Sequence, residues 1–130
     1  KARTGIDGYF RAWERAVPRF GEGQVTTYVI LGMGEDPELT VEGCRRAVDI
    51  GVYPFLVPLR PVAGSLMGDW SPPPHDYVQH VARRVTPYLA ERRLGADTAK
   101  AGCSRCHACS PMAAVQDGLQ IGRRPVPAIG

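Results

Sequence analysis

The segment from Val25 to Leu31 constrains the fold most. It is dominated by β-branched and aromatic residues and lacks strict polar alternation, the composition of a strand covered on both faces in a parallel sheet. A helical pattern precedes it, with Tyr9, Phe10, Trp13, Ala16, Val17 and Phe20 at three- and four-residue intervals. Asp7 is positioned to cap this helix, and Pro18 with Gly21 to end it. After Gly32-Met33-Gly34, Asp36 precedes Pro37, which predicts a second helix capped by Asp36 with proline in its first turn. Val41, Cys44, Ala47 and Val48 make its inner stripe, and Gly51 closes it. Val52 to Leu59 reads as a second strand, placed at a sheet edge because Pro54 and Pro58 cannot donate to a ladder.

A turn-rich stretch from Arg60 to Pro74 leads to a long helix carrying Tyr77, Val78, Val81, Val85, Tyr88 and Leu89, with a bend expected at Pro87 and an end by Gly95. The order helix, strand, helix, strand, helix is that of parallel βα units. Two strands are too few to cover three amphipathic helices, so the rest of the sheet is expected outside this sequence. The start at Lys1, directly on a helical pattern, agrees with that expectation. Residues 96–130 show little periodicity and read as an irregular cysteine-rich tail after an α/β unit spanning 1–95.

Composition excludes several function classes. A net charge of +3, with basic residues paired only as in Arg92-Arg93 and Arg123-Arg124, offers nucleic acid no footprint. No apolar run approaches membrane-spanning length and no signal peptide opens the chain, so a cytoplasmic location without a membrane partner is expected. Cys44 falls on a helical stripe, where a free cysteine packs as a small hydrophobe. Cys103, Cys106 and Cys109 are clustered instead, which in a reducing compartment favours metal over disulfide chemistry.

The turn Gly32-Met33-Gly34-Glu35 lies where a parallel strand meets its helix, the usual ligand position of α/β folds. A dinucleotide fingerprint would need a third glycine where Pro37 stands, so that reading fails. The stretch Tyr28-Val29-Ile30-Leu31-Gly32-Met33-Gly34-Glu35 resembles the G-x-I-x-G-x-x-E motif of radical S-adenosylmethionine (SAM) enzymes, with Tyr28 in place of the first glycine. The letters also suit a buried core isoleucine followed by a tight turn. The run Tyr53 to Gly64 looks like the sixth strand and following loop of the biotin-synthase-like branch, and the resemblance runs from about Gly5 to Gly64. It is nearest to the radical SAM family of bacterial nitrilase-type gene clusters.

The resemblance implies the C-terminal half of a partial (βα)6 TIM-like barrel. It implies an enzyme that, when intact, reductively cleaves SAM to a 5′-deoxyadenosyl radical, which abstracts hydrogen from an unknown small substrate. Ile30 would contact the adenine, with Gly32 and Glu35 shaping the turn and Arg60-Pro61 belonging to the same side. The C-x-x-x-C-x-x-C loop that holds the catalytic [4Fe-4S] cluster is absent from this sequence. The resemblance therefore implies that this chain alone is inactive, and that its partners are the N-terminal half of the barrel and an electron donor such as flavodoxin or ferredoxin.

The spacing C-x-x-C-x-x-C of Cys103, Cys106 and Cys109 matches the first three ligands of a ferredoxin run, with Ala113 where the fourth would fall. One continuous helix would spread the three sulfurs along about 9 Å, so a wrapped loop suits them better. An auxiliary iron–sulfur cluster, a structural zinc and free or disulfide-bonded thiols all stay open. The fourth position is open to substrate, His107, Cys44 or another segment. Two competing functions follow from the residues: a non-enzymatic metal-binding module, and a small-molecule-binding α/β domain using only the Gly32–Glu35 turn. Arg60 reads as a carboxylate partner or a plain surface arginine, Trp70 as a pocket wall or an edge cover, and His75 and His80 as serving solvent or the helix start.

Overall fold

The two β-branched runs pair directly. In the computed structural model, described over residues 5–118, β1 (Val25–Leu31) and β2 (Val52–Pro58) form a parallel ladder running without a break from Val25 opposite Val52 to Leu31 opposite Pro58. The Leu59 amide donates to the Leu31 carbonyl at 2.8 Å, extending the pairing one residue past β2. Around this sheet lie α1 (Ile6–Phe20), α2 (Pro37–Asp49), α3 (His75–Glu91), α4 (Cys103–Cys106) and α5 (Met112–Gly118). The fold is mixed α/β. Two strands do not close a barrel, and none is formed among the described residues.

Local chemistry accounts for the helix ends. The Asp36 side chain accepts from the Glu38 and Leu39 amides at 2.8 and 3.1 Å, with Pro37 in the first turn, as the sequence predicts for α2. At α1 the expectation fails: Gly5 is the N-cap and makes no side-chain cap bond, and Asp7 lies inside the first turn, where its charge suits the helix dipole. Pro18 does not end α1 either, because the helix continues to Phe20 and the Gly21 amide donates to the Val17 carbonyl. The helix α3 likewise runs through Pro87 to Glu91.

Residues alternate between the two faces of a strand. Val25, Val29, Leu31, Val52 and Leu56 share one face. There Val17, Ala47 and Val52 form one cluster with Trp13 and Val25, while Leu31, Val41, Val48, Leu56, Val81 and Val85 form the main core. The other face of β1 carries Thr26, Tyr28 and Ile30, and here the expectation of a strand covered on both faces is overturned. Tyr28 is 55% exposed and Ile30 45%. The expected stripe of α1 is also only partly buried: Phe10 and Val17 are inside, whereas Tyr9 and Phe20 are exposed.

The residues after Gly95 are more ordered than their irregular pattern suggests. Two short helices form, and Ala96, Met112 and Ala113 join Tyr53, Leu89 and Leu94 in the main core. Gln116, 2% exposed, ties them together. The Tyr53 hydroxyl and the Ala96 amide both donate to its Oε1 at 3.1 Å, and its Nε2 donates to the Leu94 carbonyl at 3.2 Å. The remainder of the 96–130 tail, including Arg123-Arg124, lies outside the described residues, as does Lys1.

Candidate functional site

Glu35 organises the turn at the carboxyl end of β1. Its carboxylate accepts from the Gly32 amide at 2.8 Å, the Met33 amide at 2.7 Å and the Tyr77 hydroxyl at 2.7 Å. Partial burial pushes its pKa upward, but the Tyr77 hydroxyl and the amides of Gly32, Glu35 and Met33 outweigh this and hold it below the usual glutamate value. Burial first, and then the adjacent carboxylate, push the Tyr77 phenol up to about 12, so at neutral pH it remains a donor. Gly32 has φ +99°, and a Cβ there would stand 2.8 Å from Pro73. Glycine is required both for the backbone conformation and for the approach of the loop before α3.

This geometry bears on the turn-only ligand domain. The Gly32 and Met33 amides, which would cradle an anion, are already engaged by Glu35. Ile30 differs: it is held out on the uncovered face at the carboxyl end of the strand, an apolar platform of the kind a purine ring needs. A cleft of about 450 Å³ lies beside β1, walled by Ile6, Tyr9, Trp13, Tyr28, Ile30 and Leu39 and reaching Glu35. Arg60 and Pro61 are not part of its wall. They follow β2 at the same end of the sheet, with Arg60 exposed and Pro61 half-buried. Trp70 is 47% exposed in the loop between β2 and α3, and His75 and His80 are exposed on α3.

The cysteines divide as their sequence context suggests. Cys44 is 3% exposed in the core, and burial pushes its thiol up to about 12, which suits packing rather than ligation. Cys103, Cys106 and Cys109 are exposed, with Cys103 and Cys106 at the two ends of the single turn of α4. His107, in the left-handed conformation at φ 59°, then redirects the chain toward Cys109. Among the described residues, no three His, Cys, Asp or Glu side chains converge closely enough to hold a metal as placed. The donor chemistry nonetheless fits iron–sulfur or zinc, and the Ser104 hydroxyl between these thiols is buried without a hydrogen-bond partner among the described residues.

Sequence reasoning passed over two residues that the fold brings to these sites. Tyr77, read as core stripe, reaches Glu35 across 42 residues of sequence, and no local pattern announces that contact. Tyr28 was noted only for displacing a glycine. It lines the cleft beside β1, and the neighbouring Cys103 thiol first, then slight desolvation and the thiols of Cys109 and Cys106, raise its pKa above the usual tyrosine value.

No family profile matches the chain, and no solved structure matches it. Over 81 residues, 62% of its length, the chain is 33% identical to bacteriochlorophyllide c C-7(1)-hydroxylase of Chlorobaculum limnaeum. The aligned part is 20% of that enzyme, so the chain spans about a fifth of the length of the curated relative it matches.

Proposed function

We propose that the chain is part of a radical SAM enzyme and contributes the strand and turn that face the adenine of SAM. The observation that carries this reading is Ile30 held out on an uncovered strand face, directly before a turn closed by Gly32 and Glu35. The similarity to the Chlorobaculum limnaeum hydroxylase, a radical SAM enzyme, supports the superfamily and leaves the biotin-synthase-like branch as part of the proposal. When bound, SAM and a reduced [4Fe-4S] cluster supply a 5′-deoxyadenosyl radical for hydrogen abstraction from a small substrate. In this chain Ile30 offers the purine an apolar surface, Glu35 fixes the turn by taking up its amides, and Arg60 and Pro61 flank the same end of the sheet. Cys103, Cys106 and Cys109 hold an auxiliary metal centre, with iron–sulfur favoured over zinc by the ferredoxin-like spacing.

The test uses the protein translated from the whole reading frame that contains this chain, purified without oxygen and supplied with iron and sulfide. With SAM and dithionite it should release 5′-deoxyadenosine, and Ile30→Asp should weaken SAM binding while leaving the iron content unchanged. No 5′-deoxyadenosine from the iron-loaded protein would overturn the reading. The 130-residue chain by itself should form none.

A further inference from the structure

We propose that Tyr77 is a positioning residue for SAM: through Glu35 it fixes the turn after β1, and with it the far end of the loop from Arg60 to Pro74. The inference rests on the reading of Ile30 and its turn as the adenine-facing part of a SAM site, and it adds a residue that lies outside the motif. Tyr77 is the third residue of α3 and stands 42 residues after Glu35. Its hydroxyl donates to Glu35 Oε1 at 2.7 Å, the same oxygen that accepts the Gly32 amide at 2.8 Å, while Oε2 accepts the Met33 amide at 2.7 Å. One carboxylate therefore joins the turn to the start of a helix from elsewhere in the chain. A hydrogen bond to an ionised acceptor is about twice as strong as one between neutral groups.

The helix that carries Tyr77 is itself firmly placed. Val78, Val81 and Val85 of α3 lie in the main core with Val41, Cys44 and Val48 of α2, and Arg84 pairs with Glu38, its Nη2 donating to Oε2 at 2.7 Å. The Tyr77 ring packs against the same core, which gives its hydroxyl a set direction. Just before α3, Pro73 lies so close to Gly32 that a Cβ on the glycine would stand 2.8 Å from it. Pro73 and Tyr77 thus hold the turn together, one by contact and the other through Glu35. Among the described residues, the backbone hydrogen bonds of the loop run within it: the Ser65 amide donates to the Val62 carbonyl at 3.1 Å, Gly68 to Ser65 at 3.0 Å and Trp70 to Met67 at 3.1 Å. Its fixed points are β2 at one end and, at the other, Pro73 and Tyr77. Losing the Tyr77 hydroxyl leaves Glu35 with its two amides and cuts the polar tie between the turn and α3. A group that holds a binding element from behind acts on affinity through preorganisation, without touching the ligand.

Two measurements on Tyr77→Phe, which keeps the ring in the core and removes only the hydroxyl, test the proposal. The first is amide hydrogen exchange of the 130-residue chain, followed by NMR. Exchange at Gly32, Met33 and residues 62–74 should quicken by about 10-fold, the equivalent of one lost hydrogen bond to a charged group, while the amides of β2 and α2 keep their rates. The second is calorimetric binding of SAM, without oxygen, to the iron-loaded protein from the whole reading frame. The Kd for SAM should rise about 10-fold, with iron content unchanged and 5′-deoxyadenosine release at saturating SAM altered by no more than about twofold. In a Glu35→Ala background, Tyr77→Phe should add nothing further, because the hydroxyl acts through that carboxylate. An unchanged Kd in Tyr77→Phe overturns the inference, whatever the exchange shows, and leaves the SAM reading standing. Exchange that quickens equally throughout β2 and α2 makes Tyr77 a general stabiliser of the core and overturns it as well. If the unsubstituted protein binds no SAM, the SAM reading falls and this inference with it.

Discussion

At the scale of single residues, the turn after β1 concentrates the strain and the polar bonding of the candidate site. Gly32→Ala places a Cβ 2.8 Å from Pro73 at a positive φ, and we expect it to lower stability by about 2 kcal/mol or more, read as a shift in the urea midpoint. Glu35 predicts a pH dependence. A carboxylate whose folded pKa lies below its unfolded value adds stability that is complete above the unfolded value and is lost as pH falls through the folded one. Stability should therefore decline on acidification below the usual glutamate range, and Glu35→Gln should flatten that part of the profile. An unchanged acid limb would mean that the bonds to Gly32, Met33 and Tyr77 carry no weight. The motif letters were enough to single out Ile30, Gly32 and Glu35. Pro73 and Tyr77, which make Gly32 and Glu35 irreplaceable in this fold, come from a distant loop and helix and leave no trace in local sequence.

Between elements, the sequence is most legible where a short-range rule decides the structure. The Asp36-Pro37 start of α2, the glycine at its end and both strands follow from capping, backbone freedom and β-branching. The stretch after Gly95 is less legible because its order depends on one buried polar residue. Gln116 interrupts any apolar period in the seven residues of α5, yet it bonds Tyr53, Ala96 and Leu94 at once. Gln116→Leu leaves those groups buried without partners. At about 1–3 kcal/mol for each unsatisfied group, it should destabilise the chain by about 3 kcal/mol and expose residues 96–118 to protease. Adding Tyr53→Phe removes one stranded hydroxyl and should recover part of the loss. Full additivity of the two substitutions would show that the Tyr53–Gln116 bond does not couple the tail to the sheet.

Across the whole molecule, the two faces of the sheet are unequal. On the face that carries Tyr28 and Ile30, the partner strand's Tyr53 and Phe55 are buried in the main core, while Tyr28 and Ile30 remain half exposed beside the cleft that Ile6 and Tyr9 help to wall. Two strands face three amphipathic helices, and on α1 Tyr9 and Phe20 are left exposed. The sequence did not reveal which face would be left open, since a β-branched run looks alike whether buried on one side or two. In a βα barrel the face away from the helices lines the interior, and on the proposed reading that is the face on which Ile30 stands. A strand edge and an apolar wall without further cover have a cost in water. The purified 130-residue chain should therefore bind the dye ANS and self-associate with rising concentration in analytical ultracentrifugation. The protein from the whole reading frame should do neither at the same concentrations. If the chain is monomeric and dye-free, its open face is complete as it stands, the case for a larger barrel loses its physical support, and a small metal-binding module becomes the better account of the cysteines.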